Sequence, residues 1–87
     1  MADKLPETMV VAEMITNDYI WRGAGANCDE AREALLSAWT RHRGAVVRHN
    51  PGLAPTLPEA GQMPRHFPIR YSEFVRGAGY RDNERMD

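Results

Sequence analysis

The stretch Met9-Val10-Val11-Ala12-Glu13-Met14-Ile15-Thr16 is apolar and β-prone, stops at Asn17-Asp18, and resumes at once in Tyr19-Ile20-Trp21-Arg22. Two strand-forming runs separated by two residues that tolerate tight turns read as a β-hairpin. A type I′ turn at Asn17-Asp18 is the expectation, with positive φ at both positions. The register then follows without further assumption. Thr16 faces Tyr19, Met14 faces Trp21, and Glu13 faces Arg22. One face carries Val10, Ala12, Met14, Tyr19 and Trp21, and the other carries Val11, Glu13, Ile15, Ile20 and Arg22. A slip of one residue would break the Glu13–Arg22 ion pair and turn every apolar residue to the other face.

The next segment changes period. Asn27 is a favourable N-cap, and Glu30 three residues later approximates a capping box. Ala31, Ala34, Leu35, Ala38, Trp39 and His42 fall on one stripe of a helix. Asp29 and Glu30 suit its positive end, while Arg41, His42 and Arg43 suit the negative end. Gly44 is the expected stop. Gly23 and Gly25 share a sheet face with Trp21, which leaves room for the helix to approach. Trp21 and Trp39 are expected to pack together in the core.

Residues 48–68 hold five of the six prolines and no periodicity. They are expected as a proline-rich loop. Residues 69–76 have strand composition and are read as a third strand, with a short helix capped by Ser72 as the competitor. Residues 1–8 read as a loose lead-in and 80–87 as a charged tail. The expected fold class is therefore α+β in a single domain over residues 1–87. A small antiparallel sheet, made of the hairpin and a third strand, carries one amphipathic helix on one face, in the order ββαβ.

Composition narrows the function classes. The formal charge is −1, too near neutral for a nucleic-acid binder held by bulk charge. The single cysteine, Cys28, excludes an internal disulfide. A chain of 87 residues buries a modest core, so self-association as a homodimer is an expectation. The polar amino terminus and the lack of any long apolar run lead to a cytoplasmic expectation with no membrane contact.

Motifs for catalysis are weak. Gly23-Ala24-Gly25 between strand and helix imitates the start of a dinucleotide loop, but Cys28 stands at the third glycine position and no βαβ unit surrounds it. Packing under the helix is the preferred reading, and no cofactor is expected. Cys28 at a helix start could be a reactive thiol, yet no nucleophile signature accompanies it and His42 lies most of a helix away. His42, His49 and His66, even with Glu59 or Asp82, match no metal-ligand spacing. No catalytic and no metal-binding residue is assigned, and an enzyme is not expected.

Two binding surfaces remain. Arg41, His42, Arg43, Arg48 and His49 form a local basic patch that Arg65, His66 and Arg70 extend, with Phe67 and Tyr71 alongside. Arg41, Arg43, Arg48, His49 and Arg65 are the candidates for nucleic-acid contact. The outer hairpin face, Val11, Glu13, Ile15, Ile20 and Arg22, is the candidate for a protein partner, together with an edge strand at residues 9–16, unless residues 69–76 cover that edge, and the proline-rich loop.

The segments Tyr19-Ile20-Trp21-Arg22-Gly23, Asp29-Glu30-Ala31-Arg32, Leu35-Leu36-Ser37-Ala38-Trp39 and Gly77-Ala78-Gly79-Tyr80-Arg81-Asp82 resemble a diffuse group of small phage- and plasmid-encoded proteins of high-GC bacteria. The group carries no shared activity or catalytic residue to transfer. The resemblance implies a mobile-element context, in which small proteins act by binding a host complex. The expectation is a non-enzymatic protein-binding domain that inhibits or modulates a bacterial host complex. A nucleic-acid-binding regulator using the Arg/His patch is the alternative.

Overall fold

The computed structural model describes residues 7–86. The hairpin strands are β1 (Thr8–Ile15) and β2 (Ile20–Gly25), followed by the helix α1 (Cys28–His49). After the proline-rich stretch, β3 (Ile69–Val75) returns to the sheet. The result is an antiparallel three-stranded sheet of order β2-β1-β3 with one long helix on one face. This is the α+β arrangement that the alternation and the helical stripe predict. Ser72 lies in the middle of β3 rather than capping a helix. Among the described residues no helix is long and apolar enough to cross a membrane. Of the expected lead-in, residues 1–6 lie outside the described range, and Thr8 already belongs to β1.

β1 and β2 pair in the predicted register, with Met14 against Trp21 and Glu13 against Arg22. The turn itself is different. Among the described residues, positive φ occurs only at Gly77 and Asp82, so Asn17-Asp18 is not a type I′ turn. Thr16 does the closing instead. Its amide donates to the Tyr19 carbonyl at 3.0 Å, and its hydroxyl donates to the same oxygen at 2.8 Å. The hydroxyl also accepts from the Tyr19 amide at 3.2 Å and from Trp21 Nε1 at 3.3 Å. A side-chain oxygen thus stands where a primed turn would use the backbone carbonyl, and the positive φ is no longer required.

The start of α1 follows the capping logic. Asn27 Oδ1 accepts from the Glu30 amide at 2.9 Å, and the Glu30 carboxylate reaches back to the Ala26 amide at 3.1 Å. The end does not follow expectation. The helix passes through Gly44 and runs to His49, so its basic last turn holds Arg48 and His49 instead of Arg41, His42 and Arg43. Glycine weakens a helix by about 1 kcal/mol relative to alanine but does not by itself end one. Pro51 does: it disfavours helical backbone in the residue before it, and Asn50 sits at φ −144°, ψ 83°.

Buried residues come from both layers. Val10, Ala12 and Met14 of β1 meet Ala31, Leu35 and Trp39 of α1. The stripe is narrower than its spacing suggested, since Ala34 is exposed. The Trp21 and Trp39 rings lie edge to face at 5.5 Å and 84°, as the paired-indole expectation requires. Gly23 makes the close approach possible: a Cβ there would overlap the Ala31 carbonyl oxygen and the Leu35 amide nitrogen of α1.

The proline-rich stretch is not a featureless loop. It holds two 3-10 turns (Pro51–Thr56 and Ala60–Gln62) and a short helix, α2 (Met63–His66). Proline in the first turn of a helix loses no needed hydrogen bond, and Pro51 and Pro64 are the first and second residues of their helices. The segment folds back over the end of the core. Met63 is fully buried, and Leu57, Ala60 and Phe67 pack against the same cluster. The expected charged tail is also ordered differently. It forms a small hairpin of β4 (Tyr80–Arg81) and β5 (Glu84–Arg85), held to β3 by the Phe74–Tyr80 ring contact at 4.8 Å.

Candidate functional site

Pleating decides which residues share a surface. Val10, Ala12, Met14, Trp21 and Gly23 face α1, so the alternate positions Val11, Glu13, Ile15, Ile20 and Arg22 share the face that α1 leaves open. These are the residues singled out for a protein partner. β3 widens that face, placing Arg70 opposite Glu13, Ser72 opposite Val11 and Phe74 opposite Met9.

The surface has three zones. At the hairpin turn, Ile15 and Ile20 are directly opposed and stand 53% and 54% exposed. In the middle, Glu13 Oε2 and Arg22 Nε pair across the strands at 3.0 Å. Toward the other end a hollow of about 450 Å³ is lined by Val11, Glu13, Arg22, Ser72, Phe74, Asp82 and Asn83. Its far wall belongs to the tail hairpin, expected from the sequence only as a charged tail. The Glu13–Arg22 pair contributes little to stability because Arg22 is largely exposed. It sets two long side chains between the apolar Ile15–Ile20 end and the mixed, mainly polar hollow.

One part of the proposed surface moves. β1 was expected to offer a free edge at residues 9–16, but it is the central strand, paired on one side with β2 and on the other with β3. The edges of the three-stranded sheet belong to β2 and β3.

The candidate residues of the basic patch lie on two helices and differ in exposure. Arg43 is half-buried and donates from Nε to the Leu57 carbonyl at 3.0 Å and from Nη2 to the Ala54 carbonyl at 3.3 Å. It is a strut between α1 and the 3-10 turn, not a free phosphate ligand. Arg41, Arg48 and His49 are exposed on α1, and Arg65 is exposed on the separate element α2. His42 faces inward, within 5.1–5.7 Å of the Tyr19, Trp21 and Trp39 rings. A second hollow of about 260 Å³ opens beside these rings, between the hairpin turn and residues 56–67.

Gly23 and Gly25 lie beneath α1, which is the packing reading of the Gly-Ala-Gly triplet. Cys28 is exposed at the first turn of α1, roughly 20 Å along the helix from His42 at 1.5 Å per residue. Among the described residues no group of three His, Cys, Asp or Glu side chains is arranged to hold a metal ion. Comparison of the chain with protein-family models, curated proteins and solved structures finds no match.

Proposed function

We propose that this chain is a non-enzymatic protein-binding domain and that the open sheet face is its contact surface. The observation that carries the reading is the exposed Ile15–Ile20 pair, set beside a cross-strand ion pair and a mainly polar hollow to which Val11 and Phe74 add apolar surface. Interfaces concentrate their binding energy in a few apolar anchors surrounded by polar groups, and the layout of this face suits that division. The resemblance to small mobile-element proteins directs the choice of partner to bacterial host complexes. Arg43, one of the residues on which a nucleic-acid reading depended, is committed to internal hydrogen bonds.

The test uses the immobilised chain and bacterial lysate treated with nuclease. A specific protein should be retained by the native chain and lost with Ile15→Asp and Ile20→Asp, both at exposed positions that leave the core intact. Retention should survive nuclease and moderate salt. Retention by the charged variants at native strength rules out this face, and loss on nuclease treatment points to nucleic acid instead.

A further inference from the structure

We propose that β3 is the homodimerisation edge of the protein, pairing antiparallel with β3 of a second copy about a two-fold axis at Tyr71. The argument begins with hydrogen-bond parity. In an antiparallel ladder, successive residues direct their backbone groups alternately to one side and the other. The Arg76 amide donates to the Glu7 carbonyl, so Arg76, Phe74, Ser72 and Arg70 direct their backbone groups toward β1. Val75, Glu73, Tyr71 and Ile69 therefore direct theirs outward. The Val75 amide is taken by the Tyr80 hydroxyl at 2.8 Å. No described strand lies beyond β3, which leaves Ile69, Tyr71 and Glu73 as its open ladder positions.

The other edge is less accessible. α1 packs so closely on β2 that a Cβ on Gly23 would overlap its backbone. A helix roughly 10 Å wide seated there overhangs the next strand position, about 4.8 Å away. Among the described residues nothing comparable overhangs the middle of β3: of its helix-side residues Ile69 is half-buried against the core, while Tyr71 and Glu73 are exposed. Ile69–Val75 contains no proline and no lysine, and its edge protection is confined to the charges of Arg70 and Glu73 and the Tyr80 hydroxyl on Val75.

The side chains then select a register. Centring the axis on Tyr71 pairs Tyr71 with Tyr71 and Ile69 with Glu73 of the other copy, using the three open positions and nothing else. Shifting it by one step toward Glu73 would require the Val75 amide that Tyr80 already holds. Centring it on Arg70 or Glu73 would oppose like charges. The Tyr71 register instead places Arg70 beside Ser72 of the second copy and joins two aromatic rings across the axis. An outward row that is satisfied by its own two-fold image fits a second copy better than an unrelated segment. The product is a continuous six-stranded sheet whose open face combines the two proposed partner surfaces.

The experiment is register-specific. In a Cys28→Ser background, because Cys28 is exposed, Arg70→Cys and Ser72→Cys chains are prepared separately. Across a non-hydrogen-bonded pair the Cα atoms stand about 4.5 Å apart, within disulfide range. A mixture of the two variants should oxidise to a covalent heterodimer, whereas either variant alone should not, because its cysteines are offset by two residues. The native chain should sediment as a dimer, and Tyr71→Pro, which removes a central donor from each copy, should weaken association by about tenfold or more. Equal crosslinking of the single variants, no crosslinking of the mixture, or a native monomer at about 1 mM overturns the proposal. Sedimentation needs no host partner, so its outcome stands apart from the pull-down.

Discussion

Single atoms decide two of the contacts on which this fold rests. The Thr16 hydroxyl makes one donated and two accepted hydrogen bonds around the hairpin turn, which is its full capacity. Asn17 and Asp18 look sufficient to explain the turn, yet the residue before them closes it. Gly23 matters for the opposite reason, since the absence of a Cβ lets α1 sit directly on β2. Gly23→Ala would drive a methyl group into helix backbone, which has no rotamer by which to yield. We expect a loss of about 1–3 kcal/mol, measured as a lowered denaturant midpoint. A midpoint equal to that of the native chain would contradict the packing described.

At the scale of elements, α1 is longer than its stripe. The apolar repeat fades after Trp39, and Gly44 looks like a terminator. The helix nevertheless continues to His49, where Val46 and Val47 are half-buried and Pro51 sets the limit. Gly44 therefore sits in a helix interior, with negative φ and open space around its α-carbon. Gly44→Ala should stabilise the protein by about 0.5–1 kcal/mol, seen as a raised Tm. A lowered Tm would mean that the helix breaks at this point. Arg43 immediately precedes this glycine. Its guanidinium reaches two carbonyls of the 51–58 region, tying the last part of α1 to the segment that returns after it.

For the molecule as a whole, Trp39 is the point where the layers meet. Its ring packs against Trp21 of the sheet, its Nε1 donates to the Pro58 carbonyl at 2.9 Å, and it shares the core with Met63. Removing it releases sheet, helix and proline-rich segment together. Trp39→Ala should cost about 3–5 kcal/mol, a large share of the roughly 5–15 kcal/mol available to a folded domain. Circular dichroism should show a cooperative loss of structure at lower denaturant, and an unchanged unfolding curve would refute the keystone role. One sheet face is thus closed by α1 and the 51–67 segment, while the other stays open for the proposed partner.

The hairpin register, the capped start of α1 and the pairing of the two tryptophans were all legible in the residues themselves. Each rests on short-range rules: a strand period of two, a helical period near 3.6, and local hydrogen bonds at a cap. The open-face residues Val11, Glu13, Ile15, Ile20 and Arg22 were readable for the same reason, because pleating assigns them once the register is known. What lay beyond reach depends on contacts distant along the chain. Met63 is buried because residues 51–67 return to cover Trp39, and no periodicity announces a segment anchored by a few contacts rather than a continuous stripe. Asp82 and Asn83 join the hollow because Tyr80 docks on β3. β1 is central, not an edge, because β3 pairs on its far side. Local alternation states which face a residue takes, and only the assembled sheet states which strand is left without a neighbour.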